Sequence, residues 1–241
     1  MRFAILSDIH GNLEALQAVL TQCAAAGVDR MVCLGDVVGY GADPNPCIAQ
    51  MCELADAVLA GNHDRAAVGL EDLRFFNPAA LAAVRWTETQ LTGAHIGYLR
   101  ARPMSHWEDR AFFVHASPYR PETWPYIFSP EEAAAGLRHT DAQRVFVGHA
   151  HRAFVFSEAC NETVIAVEGT ARLAPAARYL INAGSVGQPR DGDPRAAFAI
   201  WDRDVSQISL CRVPYDVPRA QAKILRANLP PWLAERLALG R

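Results

Sequence analysis

A chain of 241 residues with 51% hydrophobic and 20% charged side chains has enough apolar surface to bury the core of one compact domain. Its formal net charge of −3 gives no electrostatic argument for nucleic acid or an anionic membrane as a default partner. Phe3 to Leu6 breaks at once into Ser7-Asp8-Ile9-His10, too short and polar for an export signal, and no stretch nears the ~20 apolar residues of a membrane span. A cytoplasmic protein is therefore expected. Cys23, Cys33, Cys47, Cys52, Cys160 and Cys211 form no CxxC pair, and they are expected to be reduced and mostly buried.

Arg2 to Ser7 reads as a buried strand followed by a turn at His10-Gly11. Asn12 is placed to cap a helix whose Leu13, Leu16, Val19, Leu20 and Cys23 share one face, and Gly27 supplies its stop. Met31 to Leu34 is a second strand, giving a βαβ start with parallel pairing and a right-handed crossover. Asp43-Pro44 opens another helix, the carboxylate as cap and the proline at the first helical position. Ala57 to Ala60 is a third short strand, ending in Gly61-Asn62-His63-Asp64. Asn77-Pro78 and Ser129-Pro130-Glu131-Glu132 are further cap-then-proline helix starts, and between them Phe112 to Val114 is a strand that runs into His115. Arg144 to Val147, Ala153 to Phe156, Val164 to Val167, Arg178 to Ile181, Ala196 to Trp201 and Gln207 to Arg212 read as strands. Their close spacing predicts a second, largely antiparallel sheet packed on the first, an α/β layered fold. From about Pro218 to Leu239 the pattern is helical again, with a break at Pro230-Pro231. The expected organisation is a domain over residues 1–213 with a helical extension, 214–241, packed on it.

Short apolar runs end repeatedly in Asp, Asn or His. The segments are Ser7-Asp8-Ile9-His10, Gly35-Asp36, Gly61-Asn62-His63-Asp64, Val114-His115-Ala116 and Gly148-His149-Ala150-His151. In open α/β sheets the carboxyl ends of strands converge on one crevice, which gathers residues far apart in sequence. Asp8 and His10, like His149 and His151, stand two apart and project to one side if the backbone stays extended. Carboxylate, imidazole and amide oxygen suit Mn, Fe, Ni or Zn, and the absence of thiolates argues against a structural zinc site. Gly35, Gly61 and Gly148 stand beside these residues, where a missing side chain allows close backbone approach. Any one of these groups alone is as readily a turn former or a cap; the joint spacing, which takes five of the eight histidines, is what singles them out. His95, His106 and His139 lie outside the pattern and are expected to be structural.

In order and wording, the blocks resemble the calcineurin-like metallophosphoesterase superfamily, whose pattern is DxH, GD, GNH[DE], H and GHxH. The resemblance covers roughly residues 2–185. It implies an α-β-β-α fold, a two-sheet β-sandwich flanked by helices, here with a helical C-terminal tail. It also implies two divalent metal ions, Mn, Fe, Ni or Zn, with Asp8, His10 and His151 on one, Asn62, His115 and His149 on the other, and Asp36 bridging. A hydroxide bridging the two ions would attack phosphorus in line. His63 would face the scissile phosphate as acid or transition-state stabiliser, with Asp64 orienting its ring. Asn62 and His63 would both touch substrate.

The second block reads Gly35-Asp36-Val37-Val38-Gly39-Tyr40-Gly41 and lacks the Asp-Arg pair of the GDxVDRG phosphatases. With GNHD as third block, the chain resembles uncharacterised prokaryotic phosphoesterases related to the YfcE type. This turns the expectation towards phosphodiester hydrolysis of a small or nucleotide-like substrate. The alternatives are a phosphomonoesterase or nucleotide pyrophosphatase with the same centre, or a non-catalytic scaffold like the retromer subunit of this fold. That subunit lacks the histidine matching His63. Tyr40 is a candidate cleft residue or a packing residue, and Arg190 a candidate phosphate contact or a surface ion pair. The aromatic- and proline-rich segment 116–128 reads equally as a lid or as loop packing, and Asn182-Ala183-Gly184-Ser185 resembles the loop after the last ligand block of small bacterial members.

Overall fold

The computed structural model describes residues 1–241. It opens with the expected unit: β1 (Arg2–Leu6), α1 (Leu13–Ala25), β2 (Arg30–Cys33), α2 (Pro44–Leu54) and β3 (Ala57–Val58), the three strands pairing in parallel. Asn12 caps α1 by accepting from the Ala15 N–H at 3.1 Å, and Gly27 follows the helix with φ 62°. Asp43 departs from expectation, since it makes no cap hydrogen bond at α2. Its carboxylate takes the Lys223 ammonium at 2.7 Å instead, a charge-assisted bond stronger than one to a neutral amide.

The residues after β3 form a short helix, α3 (Asn62–Ala67), followed by α4 (Pro78–Gln90), α5 (Gly93–Arg100), β4 (Ser105–Glu108), β5 (Ala111–Val114) and α6 (Pro130–Leu137). Asn77 caps α4, and Ser129 with Glu132 forms a capping box on α6. The remaining elements are β6 (Arg144–Val147), β7 (Ala153–Ser157), β8 (Glu162–Ala166), β9 (Gly169–Arg172), β10 (Tyr179–Ala183), β11 (Ala196–Asp202), β12 (Gln207–Val213), α7 (Val217–Arg226) and α8 (Pro231–Leu239).

The strands form two six-stranded sheets, ordered β3-β2-β1-β11-β12-β9 and β4-β5-β6-β10-β7-β8. Two expectations are corrected here. β11 and β12 do not extend the second sheet; β11 pairs antiparallel with β1, Ala4 opposite Ile200, and so returns the chain to the first. The second sheet is mixed rather than largely antiparallel, because β5, β6 and β10 run parallel at its centre. Those three strands are buried along their whole length, the burial that parallel pairing with both faces covered imposes.

Phe3, Ile5, Val32 and Leu34 of the first sheet meet Phe113, Phe146, Val155 and Ile181 of the second in a dry interlayer core. Leu16, Val19, Ile48 and Met51 cover the outer face of the first sheet, and Ala133 and Leu137 cover that of the second. The layers therefore run helix, sheet, sheet, helix. The tail helices bury Ala220, Ile224, Leu233 and Leu237 against Tyr40, Ala80 and Ala83. No helix is long and apolar enough to cross a membrane. All six cysteines are free; Cys23, Cys33 and Cys47 are buried, whereas Cys52 and Cys160 are exposed and Cys211 lies between, so burial is less general than expected.

Candidate metal centre

Asp8 and His10 follow β1, Asp36 follows β2, Asn62 to Asp64 open α3, His115 follows β5, and His149 and His151 follow β6. The strand ends thus bring every one of these residues to a single place. The backbone there is not extended. Asp8, His10, Asp36, His149 and His151 all take φ between 51° and 61°, the left-handed region that costs an L-residue about 1–2 kcal/mol. Each side chain reaches the centre by this turn rather than by strand alternation. A mesh of hydrogen bonds holds the turns: His10 N–H to the Asp36 carbonyl at 2.9 Å, Asp8 N–H to the Gly35 carbonyl at 3.0 Å, and His149 N–H to the Asp8 side-chain Oδ2 at 2.9 Å.

Two sets of ligand atoms result, Asp8/His10/His151 and Asp36/His115/His149, each within 4.8 Å. His151 Nε2 lies 3.2 Å from Asp8 Oδ1 and 3.1 Å from His10 Nε2. Asp36 Oδ2 stands between the sets, 3.7 Å from His10 Nε2 and 3.4 Å from His115 Nε2. The Nδ1 atoms of His10, His115 and His151 face the carbonyls of Val38, Leu34 and Gln188, which holds a proton on Nδ1 and turns each Nε2 inward. Asp8 Oδ1, Asn62 Oδ1, His115 Nε2 and His149 Nε2 are buried without a hydrogen-bond partner. Acceptors crowded against acceptors repel one another, and a cation among them reverses the sign of every contact. The donor set therefore fits metal ions.

The electrostatics agree. Burial pushes His10 and His151 down and His149 to about 3, so these imidazoles are neutral. Burial acts the same way on His115, but Asp36 and Asp8 outweigh it and push that ring up to about 9, so without a bound cation its Nε2 holds a proton towards Asp36 that a metal ion would displace. The same carboxylate field draws any cation to this point. Two glycines leave the room required. A Cβ on Gly61 would stand 2.0 Å from Asp36 Oδ1, and one on Gly148 would stand 1.8 Å from Ser7 Oγ and 2.7 Å from Asp8 Oδ2.

His63 stands beside the ligands, its ring 4.9 Å from that of His10, 4.5 Å from Tyr40 and 5.1 Å from Phe76. Burial pushes its imidazole down to about 4. Asp64 does not orient this ring. Its carboxylate accepts from the Val38 N–H at 3.0 Å and the Gly61 N–H at 3.1 Å, and His63 Nδ1 has no partner. The helix start explains this, since a residue three positions into a helix reaches back to the capping amide. Tyr40 is both cleft residue and packing residue, buried against α7 and α8 with its ring on His10 and His63. Arg190 has no carboxylate partner: its guanidinium donates to Gln188 Oε1 at 2.8 Å and lies 5.6 Å from the Tyr40 ring centre. Segment 116–128 forms a wall. Tyr126 stacks on His149 at 4.1 Å and Trp124 meets His115 edge-on at 5.7 Å.

Residues 1–205 match the family described as the calcineurin-like phosphoesterase superfamily domain. The chain belongs to that superfamily. It is 41% identical to an uncharacterised protein of Methanocaldococcus jannaschii over 99% of this chain and 98% of that one. A metallophosphoesterase from Sphaerobacter thermophilus superposes with a TM-score of 0.90 at 39% identity, covering 100% of this chain and 99% of that chain. A hypothetical protein from Pyrococcus horikoshii shares the fold with a TM-score of 0.80 at 20% identity, over 100% and 98% of the two chains. Family and ligand geometry together make the protein a metal-dependent phosphoesterase acting on a phosphoester.

Several supporting residues escape a reading of single motifs. Ser185 Oγ donates to the Asp8 carbonyl at 2.8 Å, Asn182 Nδ2 to the Gly148 carbonyl at 2.9 Å, and Asn12 Nδ2 to the Gly187 carbonyl at 2.8 Å. They hold the ligand turns from behind. Phe75 and Phe76 line the same cleft as Trp124 and Tyr126, and nothing in their local sequence announces it.

Proposed function

We propose that the protein hydrolyses phosphodiesters at a two-metal centre, with Asp8, His10 and His151 on one ion, Asn62, His115 and His149 on the other, and Asp36 serving both. The observation that carries this is Asp36 Oδ2, 3.7 Å from His10 Nε2 and 3.4 Å from His115 Nε2, amid buried acceptors that have no donor. Mn, Fe, Ni or Zn each suit such a set of nitrogen and oxygen ligands. Bound divalent metals supply a water acidic enough to ionise near neutral pH and neutralise charge gathering on the phosphoryl oxygens.

The protein's own groups do the rest. Two ligand carboxylates, Asp8 and Asp36, against two doubly charged ions leave a net positive site for an anionic ester. His63 borders the cleft, and its neutral imidazole keeps one N–H to hydrogen-bond to charge developing on the leaving oxygen, a kind of donor whose loss costs roughly 10²–10³-fold. Asp64 is a positioning residue, acting through the Gly61 and Val38 amides.

Preference for diesters is supported by the loop after Asp36. Tyr40 fills its end, packed on His10 and His63, so this loop offers no guanidinium to the second negative charge of a monoester. The monoester alternative draws on Arg190, which has no carboxylate partner and depresses the imidazoles of His63 and His151 together with their burial. Turnover of bis(p-nitrophenyl) phosphate against p-nitrophenyl phosphate, with and without Mn²⁺ or Ni²⁺, separates the two. Metal-stimulated turnover of the diester in excess is expected. Preference for the monoester would overturn the diester assignment, and no metal-stimulated turnover of either would overturn the enzyme itself.

A further inference from the structure

Beside the ligands runs a cleft of about 490 Å³, lined by Asn62, His63 and His149, by Phe75 and Phe76 on one segment, and by Trp124 and Tyr126 on another. Phe75 is 86% exposed, at the end of a three-residue turn. A phenyl ring left in water beside a site gains by being covered. Tyr126 lies nearly parallel to the His149 ring, 4.1 Å away at 19°, and Phe128 stacks on Tyr126 at 5.0 Å and 11°. Aromatic faces therefore lead from solvent to a metal-ligating imidazole.

The charges lining the cleft narrow its occupant. No lysine or arginine lines it, and of the lining carboxylates Glu71 is paired with Arg65 and Asp72 with Arg74, which leaves only Glu122 without an ion pair. The cleft offers no free cation to a chain of further phosphates and little free carboxylate to a cationic group, so the group that enters is uncharged. Phe75, Phe76, Trp124 and Tyr126 in one lining favour a flat ring over an alkyl chain, through offset or edge-on contacts.

We propose that this cleft takes an uncharged, planar aromatic group joined to the phosphorus held at the centre, as a nucleobase is joined through its sugar. The proposal rests on the phosphoesterase assignment above and names its substrate class as nucleoside esters.

Calorimetric titration of the manganese-loaded protein with adenosine 5′-monophosphate and with ribose 5-phosphate tests it, because the two ligands differ only in the base. The nucleotide is expected to bind about tenfold tighter or more, the scale of base–aromatic stacking. Phe75→Ala should bring the nucleotide to within roughly threefold of the sugar phosphate while leaving the sugar phosphate and the metal content unchanged. Phe75 is too exposed for its truncation to endanger the fold. Equal affinities in the parent protein, or nucleotide binding indifferent to Phe75→Ala, would overturn the cleft's role while leaving the metal centre standing. If neither phosphate binds to protein that demonstrably holds manganese, the cleft proposal falls, and turnover of bis(p-nitrophenyl) phosphate by the same protein decides separately whether the phosphoesterase assignment stands.

Discussion

Asp36→Asn is the sharpest perturbation of this centre, because it changes one atom and almost no volume. Asp36 Oδ1 accepts from the His63 N–H at 2.8 Å, and an asparagine carbonyl keeps that bond. Its amide nitrogen then replaces Oδ2, 3.4 Å from His115 Nε2 and 3.7 Å from His10 Nε2. There it can donate to an imidazole lone pair but cannot ligate. Without metal the variant also loses a carboxylate that holds His115 above its ordinary value, so each protein's own chelated stability is the baseline and only the gain on adding metal is compared. Loss of an outer partner of a metal ligand typically costs about 10–100-fold in affinity, so loss of a ligand shared by two ions should exceed about 100-fold. With metal at about a hundred times the parent's dissociation constant, the parent gains roughly 2.7 kcal/mol of stability and the variant only about 0.4 kcal/mol. The difference of about 2.3 kcal/mol corresponds to roughly 5–9 °C in Tm for a chain of this size. Thermal unfolding with chelator and with added Mn²⁺, alongside elemental analysis, reads this directly. A variant that binds two metals and rises in Tm as the parent does would refute the assignment of Asp36 to both ions.

Other perturbations separate roles that lie close together. His63→Ala should keep both metals while turnover falls about 10²–10³-fold; elemental analysis finding less metal would make His63 a ligand. Gly148→Ala drives a Cβ to 1.8 Å from Ser7 Oγ and should cost about 1–3 kcal/mol and lower metal content with it; unchanged Tm and metal content would mean the Asp8 turn yields freely. Lys223→Met removes the ammonium held by Glu14 at 2.6 Å and Asp43 at 2.7 Å, and with part of that cluster solvated a loss of about 1–2 kcal/mol in chemical denaturation is expected, below the fully buried range. Burial pushes the Lys223 amine down, but Asp43 and Glu14 outweigh it and hold it above its ordinary value. Its contribution is therefore complete below the ordinary lysine range and fades as pH rises through the raised value. Parent and variant should converge in stability at strongly alkaline pH; a gap that persists there would assign the effect to packing.

Much of this architecture is legible in the sequence where a local signal carries it. Asn12, Asn77 and Ser129 announce helix starts by residue type and spacing, and each caps as read. Elements without such a signal stay hidden. α5 contains Gly93 and Gly97 and buries only Leu99, so neither propensity nor an apolar stripe marks it. β4 and β9 are four residues each and contain no fully buried residue, which erases the alternation that identifies a strand. The membership of β11 in the first sheet is a tertiary choice, since its apolar run Ala196 to Ile200 would suit either sheet.

At the centre, residue types and order single out the ligand candidates, but not their backbone. The family resemblance implies that Asp64 orients His63, whereas its three-residue spacing from Gly61 spells a capping interaction. Phe75 reaches the cleft only because the segment before α4 folds back beside α3, and no window of sequence encodes that.

The left-handed turns at Asp8, His10, Asp36, His149 and His151 have one more consequence. Aspartate, asparagine and histidine are the side-chain-bearing residues that enter this region most readily, whereas cysteine and glutamate hold no such advantage. The backbone thus edits the ligand alphabet before any ion arrives, keeping oxygen and imidazole nitrogen and discouraging sulfur. Soft-metal chemistry, which depends on thiolate, is handicapped here by a torsion angle. Redesigning this centre for copper(I) would have to begin with the main chain.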